Sequence, residues 1–141
     1  MRGVFVFLCF TLILFSILST SCLNEQKVKY TRYFTDGAQL YKTNCQNCHG
    51  VNGEGLAQLI PPLTDTLYLR KNRTQLACMI TYGLAGEIKV HQQTYNFKMP
   101  ANLNLAPIDL AKLLTYLTNS FGSQQGIYDV TEIEKHLQNC R

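Results

Sequence analysis

Apolar positions fall into two regimes along the chain. From Val4 to Leu18 they form an unbroken run, VFVFLCFTLILFSIL, with no charge and with Arg2 just ahead of it. Beyond residue 32 they become periodic. A helix is predicted to begin at Thr35 or Asp36, either of which can cap it, to place Leu40 and Tyr41 on one side, and to run into Cys45. Gly50 to Pro62 (GVNGEGLAQLIPP) carries the glycine and proline of a loop. Leu76, Met79 and Ile80 have helical spacing within Thr74–Tyr82, with Gly83 as the stop. Gly86 to Met99 alternates briefly, as a small hairpin or an irregular loop. Pro107 opens the clearest helix, striped by Ile108, Leu110, Leu113, Leu114 and Leu117 and ended by Gly122. A last short helix fits Thr131–Gln138, where Thr131 and Glu134 have the spacing of a capping box. The pattern is all helix plus long loops, without a βαβ unit.

The first run is too short for a membrane span, which needs about 20 residues, and suits the core of a secretory signal. Leu18-Ser19-Thr20-Ser21-Cys22 follows, and resembles the lipobox of bacterial lipoproteins, with leucine one place early. An uncleaved anchor or an ordinary cleaved signal are the other readings; all three export the chain. The resemblance implies lipidation of Cys22 and membrane attachment on the periplasmic or cell-surface side. The expected organisation is therefore a signal peptide over 1–21, a polar tether over 22–32, one domain over 33–122 and a C-terminal extension over 123–141.

Composition narrows the picture. At 141 residues and 46% hydrophobic the chain has material for one modest core, which excludes both a second domain and global disorder. A net charge of +4 is too mild for a nucleic-acid-binding face. Six cysteines in an exported chain carry the chemistry. Cys45-Gln46-Asn47-Cys48-His49 is C-x-x-C-H, the attachment pentapeptide of c-type haem. Two thiols three positions apart lie on one side of a helical turn and can bond the two vinyl-derived carbons at one haem edge, while the next residue offers an imidazole to the iron. A thioredoxin-like pair would want a βαβ surround, and a zinc site a second cysteine pair at metal spacing. Cys78 and Cys140 stand alone, an even pair in an oxidising compartment, and are expected to form a disulfide; a buried Cys78 and a free tail thiol are the alternative.

With these residues in view the chain resembles a class I cytochrome c from Thr35 to Gly122. Gly37 and Tyr41 match the glycine and aromatic that pack the family's first helix on its last, here on Leu113, Tyr116 and Leu117. His49-Gly50, the glycine-rich loop and Pro61-Pro62-Leu63 follow in family order. The resemblance implies an all-α cytochrome c fold, three main helices and loops around one covalent haem, with the short C-terminal helical extension added. It implies His49 and Met99, from the Met99-Pro100 step before the last helix, as metal ligands, and Pro61 as carbonyl acceptor for the axial imidazole. Methionine more often simply fills core space. His91, eight residues before Met99, leaves bis-histidine ligation open, and His136 reads as a solvated surface residue. Tyr95 and Phe97 match the aromatic that precedes Met-Pro in single-haem domains of quinoprotein dehydrogenases and oxidases, and are expected to shield the haem edge; Tyr82 reads equally as core.

The function implied is single-electron transfer with His/Met ligation, not enzymatic turnover of a small-molecule substrate. The partners implied are redox proteins (an oxidase, reductase or dehydrogenase) and the membrane, with no nucleic acid. Arg70, Lys71 and Arg73, with Lys89 and Lys98, are the cations available for docking. The alternatives are a fixed haem subunit of a dehydrogenase or oxidase complex, and a five-coordinate peroxidase or gas sensor.

Overall fold

The computed structural model describes residues 2–122 and 124–140, with the side chains of 4–6, 8–9 and 11–24 outside the described set. Cys22 and the lipid attachment expected there fall among the latter. The chain divides into two units, residues 1–32 and 33–141. Helix α1 is assigned over Arg2–Asn44, so the first unit is helical throughout its described length. The polar stretch read as a tether is helical, as part of α1, and neither Thr35 nor Asp36 begins a helix. Between Gly3 and Gly37 there is neither proline nor glycine, and Leu, Glu, Gln and Lys are good helix formers, so nothing in the sequence stops the helix. Among the described residues no helix is long and apolar enough to cross a membrane.

In the second unit the end of α1 leads through Cys45 into the single turn α2 (Gln46–His49). Then follow α3 (Thr66–Lys71), α4 (Leu76–Tyr82), the hairpin β1 (Ile88–Val90) and β2 (Gln93–Tyr95), α5 (Pro107–Ser120) and α6 (Val130–Gln138). The strands are antiparallel, with Val90 opposite Gln93. The turn residues His91 and Gln92 both have positive φ, 47° and 65°. That is the geometry of a two-residue turn that glycine and asparagine usually fill, so of the two readings of Gly86–Met99, hairpin or irregular loop, the structure has the hairpin without its usual turn residues.

The core joins Tyr41 of α1, Leu69 of α3, Leu76, Ala77 and Ile80 of α4, and Leu110, Leu113, Leu114 and Leu117 of α5. Helix α1 crosses α5 at Gly37, where an added Cβ would strike the Lys112 carbonyl and the Tyr116 side chain, so only glycine lets the two backbones meet. Tyr41 and Tyr116 rings lie 5.6 Å apart beside that crossing, and Tyr116 and Phe121 rings 5.7 Å apart edge to face. Asp36, the expected cap, pairs instead with Lys112 at 2.9 Å.

The C-terminal extension packs on α4 and α5. Tyr128 and Ile133 are fully buried. The Tyr128 amide donates to Thr115 Oγ1 of α5 at 3.0 Å, and Cys140 is disulfide-bonded to Cys78 of α4 with Cα atoms 5.5 Å apart. Asp129 takes the N-cap position of α6 without a side-chain cap bond, and the expected Thr131–Glu134 box falls inside the first turns. Arg73 belongs to this packing rather than to an exposed basic cluster. Its guanidinium forks onto Glu132 (Nε–Oε1 2.9 Å, Nη2–Oε2 3.1 Å), donates to the Gln125 carbonyl at 3.1 Å, and stacks 3.9 Å from the Tyr128 ring centroid. His136, read from sequence as solvated, has only 11% of its side chain exposed, with Nε2 3.9 Å from the Glu132 carboxylate.

Candidate functional site: an apolar cleft between His49 and Met99

The last turns of α1 and α2 set the Cys45–His49 segment. The Cys45 amide donates to the Tyr41 carbonyl at 2.9 Å, and the His49 amide to the Cys45 carbonyl at 2.9 Å. Tyr41 also hydrogen-bonds through its hydroxyl to the Gly50 carbonyl at 2.6 Å, so the core of α1 holds both ends of the pentapeptide. Cys45 is half-buried and Cys48 exposed, and both thiols are free. Burial and the neighbouring Cys48 push the Cys45 thiol up to about 11.

His49 Nδ1 lies 3.2 Å from the Pro61 carbonyl oxygen and donates to it. That bond fixes the tautomer, leaving Nε2 with its lone pair for another partner. Burial holds the imidazole pKa below its ordinary value, against the opposing pull of the Pro61 bond, so the ring is neutral at neutral pH. A neutral imidazole with one nitrogen already engaged is the form that binds a metal.

Facing this segment is an apolar cavity. His49, Cys45, Pro61 and Met99 line it, with Tyr68 and Leu69 of α3, Met79 and Ile80 of α4, Val90 of β1 and Leu114 of α5. Two further hollows open beside it, and His49 and Met99 line both of these as well. Tyr95 and Phe97 line one of them with Cys48. Tyr95 is buried while Phe97 is 62% exposed, so the two aromatics differ in what they cover. Tyr82 is 59% exposed and takes no place in the core. Met99 comes from an extended segment paired with Leu84, its amide donating to the Leu84 carbonyl at 2.9 Å and the Leu84 amide donating back at 3.1 Å.

The alternative nitrogen ligands stand apart. His91 sits at the hairpin tip, its side chain 55% exposed and its Nε2 4.0 Å from Asp65 Oδ2. His136 is in α6, and neither lines the cavity. Two free thiols at one rim, a neutral imidazole with Nε2 unengaged, and an apolar cavity with a thioether along it fit a covalently held tetrapyrrole.

Sequence reading missed α3, which supplies Tyr68 and Leu69 to the cavity wall. Its signal was present: Asp65 accepts from the Tyr68 amide at 2.9 Å as an N-cap. The same carboxylate accepts from the His91 amide at 2.9 Å and so ties the hairpin tip to α3.

Comparison with known proteins agrees with this geometry. A family model for cytochrome c matches residues 34–120. The chain is 30% identical over 96 residues to cytochrome c-552 of Thermus thermophilus, an alignment covering 65% of this chain and 72% of that protein. It matches cytochrome c-552 of a culture-collection strain of the same species at the same identity, over 64% of that protein's length.

Proposed function

Because the chain belongs to the cytochrome c family, whose members carry covalently bound c-type haem and transfer electrons, we propose that it is a single-electron carrier with His49 and Met99 as the two axial ligands. The observation that carries this reading is that one imidazole and one thioether share all three hollows of the cleft. When bound, the haem supplies a one-electron ferric/ferrous couple. Cys45 and Cys48 would hold it by thioether bonds, and attachment through two bonds would keep it in an exported chain. Pro61 fixes the His49 ring and raises its basicity as a ligand. Met99, a soft and weakly donating ligand, shifts the couple to higher potential. The apolar wall of Leu69, Ile80, Val90 and Leu114 excludes water. With His49 and Met99 both taken as iron ligands, oxygen and peroxide would find no open site, which favours electron transfer over turnover.

Electrons pass where the cleft reaches the surface, at the exposed Cys48 and beside Leu59 and Phe97. Lys98 lines the same hollow and Lys89 lies exposed on β1, so an acidic redox partner would be drawn to this side. The apolar run Val4–Leu18 and the Leu18–Cys22 box support export and lipid attachment, which would set the carrier at the outer face of a membrane beside a respiratory or dehydrogenase partner. The test is the absorption spectrum of the purified haem-loaded protein, oxidised and reduced, beside Met99→Ala. The ferric wild type should show the faint far-red band of thioether–iron bonding. Met99→Ala should lose that band, drop in potential and bind carbon monoxide when reduced. Rapid carbon monoxide binding by the wild-type ferrous protein at neutral pH would overturn the reading in favour of an open-site enzyme or sensor.

A further inference from the structure

The Met99 segment is held mainly through its backbone, by the end of α4 that flanks the cleft. It lies along the end of α4, paired with Leu84 through both amides. Three residues on, the Asn102 amide donates at 3.0 Å to the carbonyl of Ile80, one of the carbonyls that the end of α4 leaves without a helical partner. Between these two contacts sits Gly83, with φ 76° and ψ −176°. That combination is essentially restricted to glycine. An added Cβ would lie 2.5 Å from the Met99 carbonyl oxygen, 2.9 Å from the Ala101 nitrogen and 3.1 Å from the Pro100 carbonyl carbon. All three are backbone atoms of the ligand segment, and none can rotate away. A side chain at 83 must therefore lift that segment off α4.

A second hold comes from the opposite side. Asn102 Nδ2 donates to Asn44 Oδ1 at 3.0 Å, and Asn44 Nδ2 donates to the Leu40 carbonyl at 2.9 Å. Asn44 directly precedes Cys45, so this clamp links the segment carrying Met99 to the one carrying Cys45, Cys48 and His49.

We infer that Gly83 is the positioning residue for the sixth ligand, setting how far the Met99 thioether reaches into the cleft, with the Asn44–Asn102 clamp as its independent second hold. The inference rests on Met99 being the axial sulfur. Loosening either hold leaves haem attachment and His49 ligation intact while making the sulfur easier to displace. Gly83→Ala combines a steric push with a conformation alanine resists, and Asn102→Ala removes one exposed hydrogen bond.

The experiment uses the haem-loaded full chain and imidazole as the competing ligand. Gly83→Ala, Asn102→Ala, Met99→Ala and Gly126→Ala are compared by ferric far-red absorbance, imidazole affinity, midpoint potential and melting temperature. Gly126 has a similar φ, 75°, but nothing within 4 Å of its would-be Cβ, so it reports backbone strain alone. Asn102→Ala should raise imidazole affinity about fivefold, the equivalent of one net hydrogen bond of about 1 kcal/mol. Gly83→Ala should weaken or abolish the far-red band and raise imidazole affinity by more than the Asn102 variant does. Gly126→Ala should lower the melting temperature only. If Gly83→Ala does not fold, the Asn102 arm decides. The inference fails if Gly83→Ala and Asn102→Ala both keep wild-type band and imidazole affinity, or if Gly126→Ala shifts affinity as much as they do. Loss of the band in Met99→Ala alongside such unaffected variants leaves the ligand reading standing and overturns only this inference. A Met99→Ala protein with the wild-type band and affinity instead removes the ligand reading itself.

Discussion

Replacing Arg73 tests whether the C-terminal extension is an integral part of the folded unit or a loosely attached tail. The guanidinium is about three-quarters buried, as is the carboxylate it meets, with 28% and 29% of the two side chains exposed. An exposed ion pair contributes about 0–1 kcal/mol, but a two-point fork onto a largely buried carboxylate approaches the 1.5–3 kcal/mol typical of charged hydrogen bonds. Stacking on the fully buried Tyr128 ring adds about 0.5–1 kcal/mol. Removal also leaves Glu132 without its cation, while the Gln125 carbonyl can turn to water. Arg73→Ala should therefore cost about 2–3 kcal/mol, which for a unit near 100 residues lowers the melting temperature by about 10 °C. Arg73→Lys keeps the charge but loses the planar fork and the stacking, and should recover less than half of that loss. Thermal unfolding of the haem-loaded chain, with the Cys78–Cys140 disulfide intact, gives the magnitude. Amide hydrogen exchange gives the location, and protection should fall first between Ile127 and Leu137. A shift below about 2 °C in Arg73→Ala, or full rescue by lysine, would refute the view that fork geometry secures the extension.

Two further outcomes follow from single groups. The Tyr128 hydroxyl is buried with no hydrogen-bond partner, and burial pushes its pKa up to about 12, partly offset by Arg73. Tyr128→Phe should thus cost less than about 0.5 kcal/mol at neutral pH, since no bond is lost. The wild type should lose stability as pH rises from the ordinary tyrosine value of about 10 towards 12, because the unfolded chain ionises first, and the variant should lose less; urea unfolding across that range checks both. Asp65 is subject to a raising influence from its burial, outweighed by the Tyr68 and His91 amides, and its pKa lies below the ordinary carboxylate value. Its contribution is complete above the unfolded-state value of about 3.9 and lost as pH falls through the lower folded value. Asp65→Asn, which can still cap α3, should be less stable near neutrality and show a shallower acid loss; equal slopes in the two proteins would count against the latch between α3 and the hairpin.

Much of the site was legible because its chemistry is written in short, local spacings. Cys45, Cys48 and His49 lie within one turn, Pro61 within the next loop, and Met99 beside a proline before the last helix. Helix α5 announced itself by Pro107 and a regular leucine stripe, and its crossing partner by Gly37 and Tyr41 four residues apart. What escaped depended on contacts far along the chain. Arg73 looked like part of a surface cluster because Glu132, 59 residues away, is invisible to local pattern. His136 looked solvated because only the packing of α6 on α4 buries it. The hairpin stayed one of two readings because its turn carries His91 and Gln92 where glycine or asparagine would have decided for it. At the other end, the polar composition of residues 23–32 suggested a tether, yet a polar stretch without glycine or proline is as compatible with an exposed helix.

Met99 shows why ligand identity and ligand placement are separate problems in this chain. On the proposed ligation, the residue that donates the sulfur is marked locally, by a methionine before a proline beside an apolar cleft. Where the sulfur sits is decided by α4, through Gly83, Leu84 and the Ile80 carbonyl, and by α1 through Asn44. Helix α4 is in turn bolted to the C-terminal extension by Cys78–Cys140, while α1 is pinned to α5 at Gly37. The cleft wall itself offers side chains that exclude water but few that hold the backbone of the ligand segment. Changes that enlarge or polarise the wall should therefore alter the electrostatics around the couple. Changes at the two helix ends should alter whether the sulfur stays in place at all.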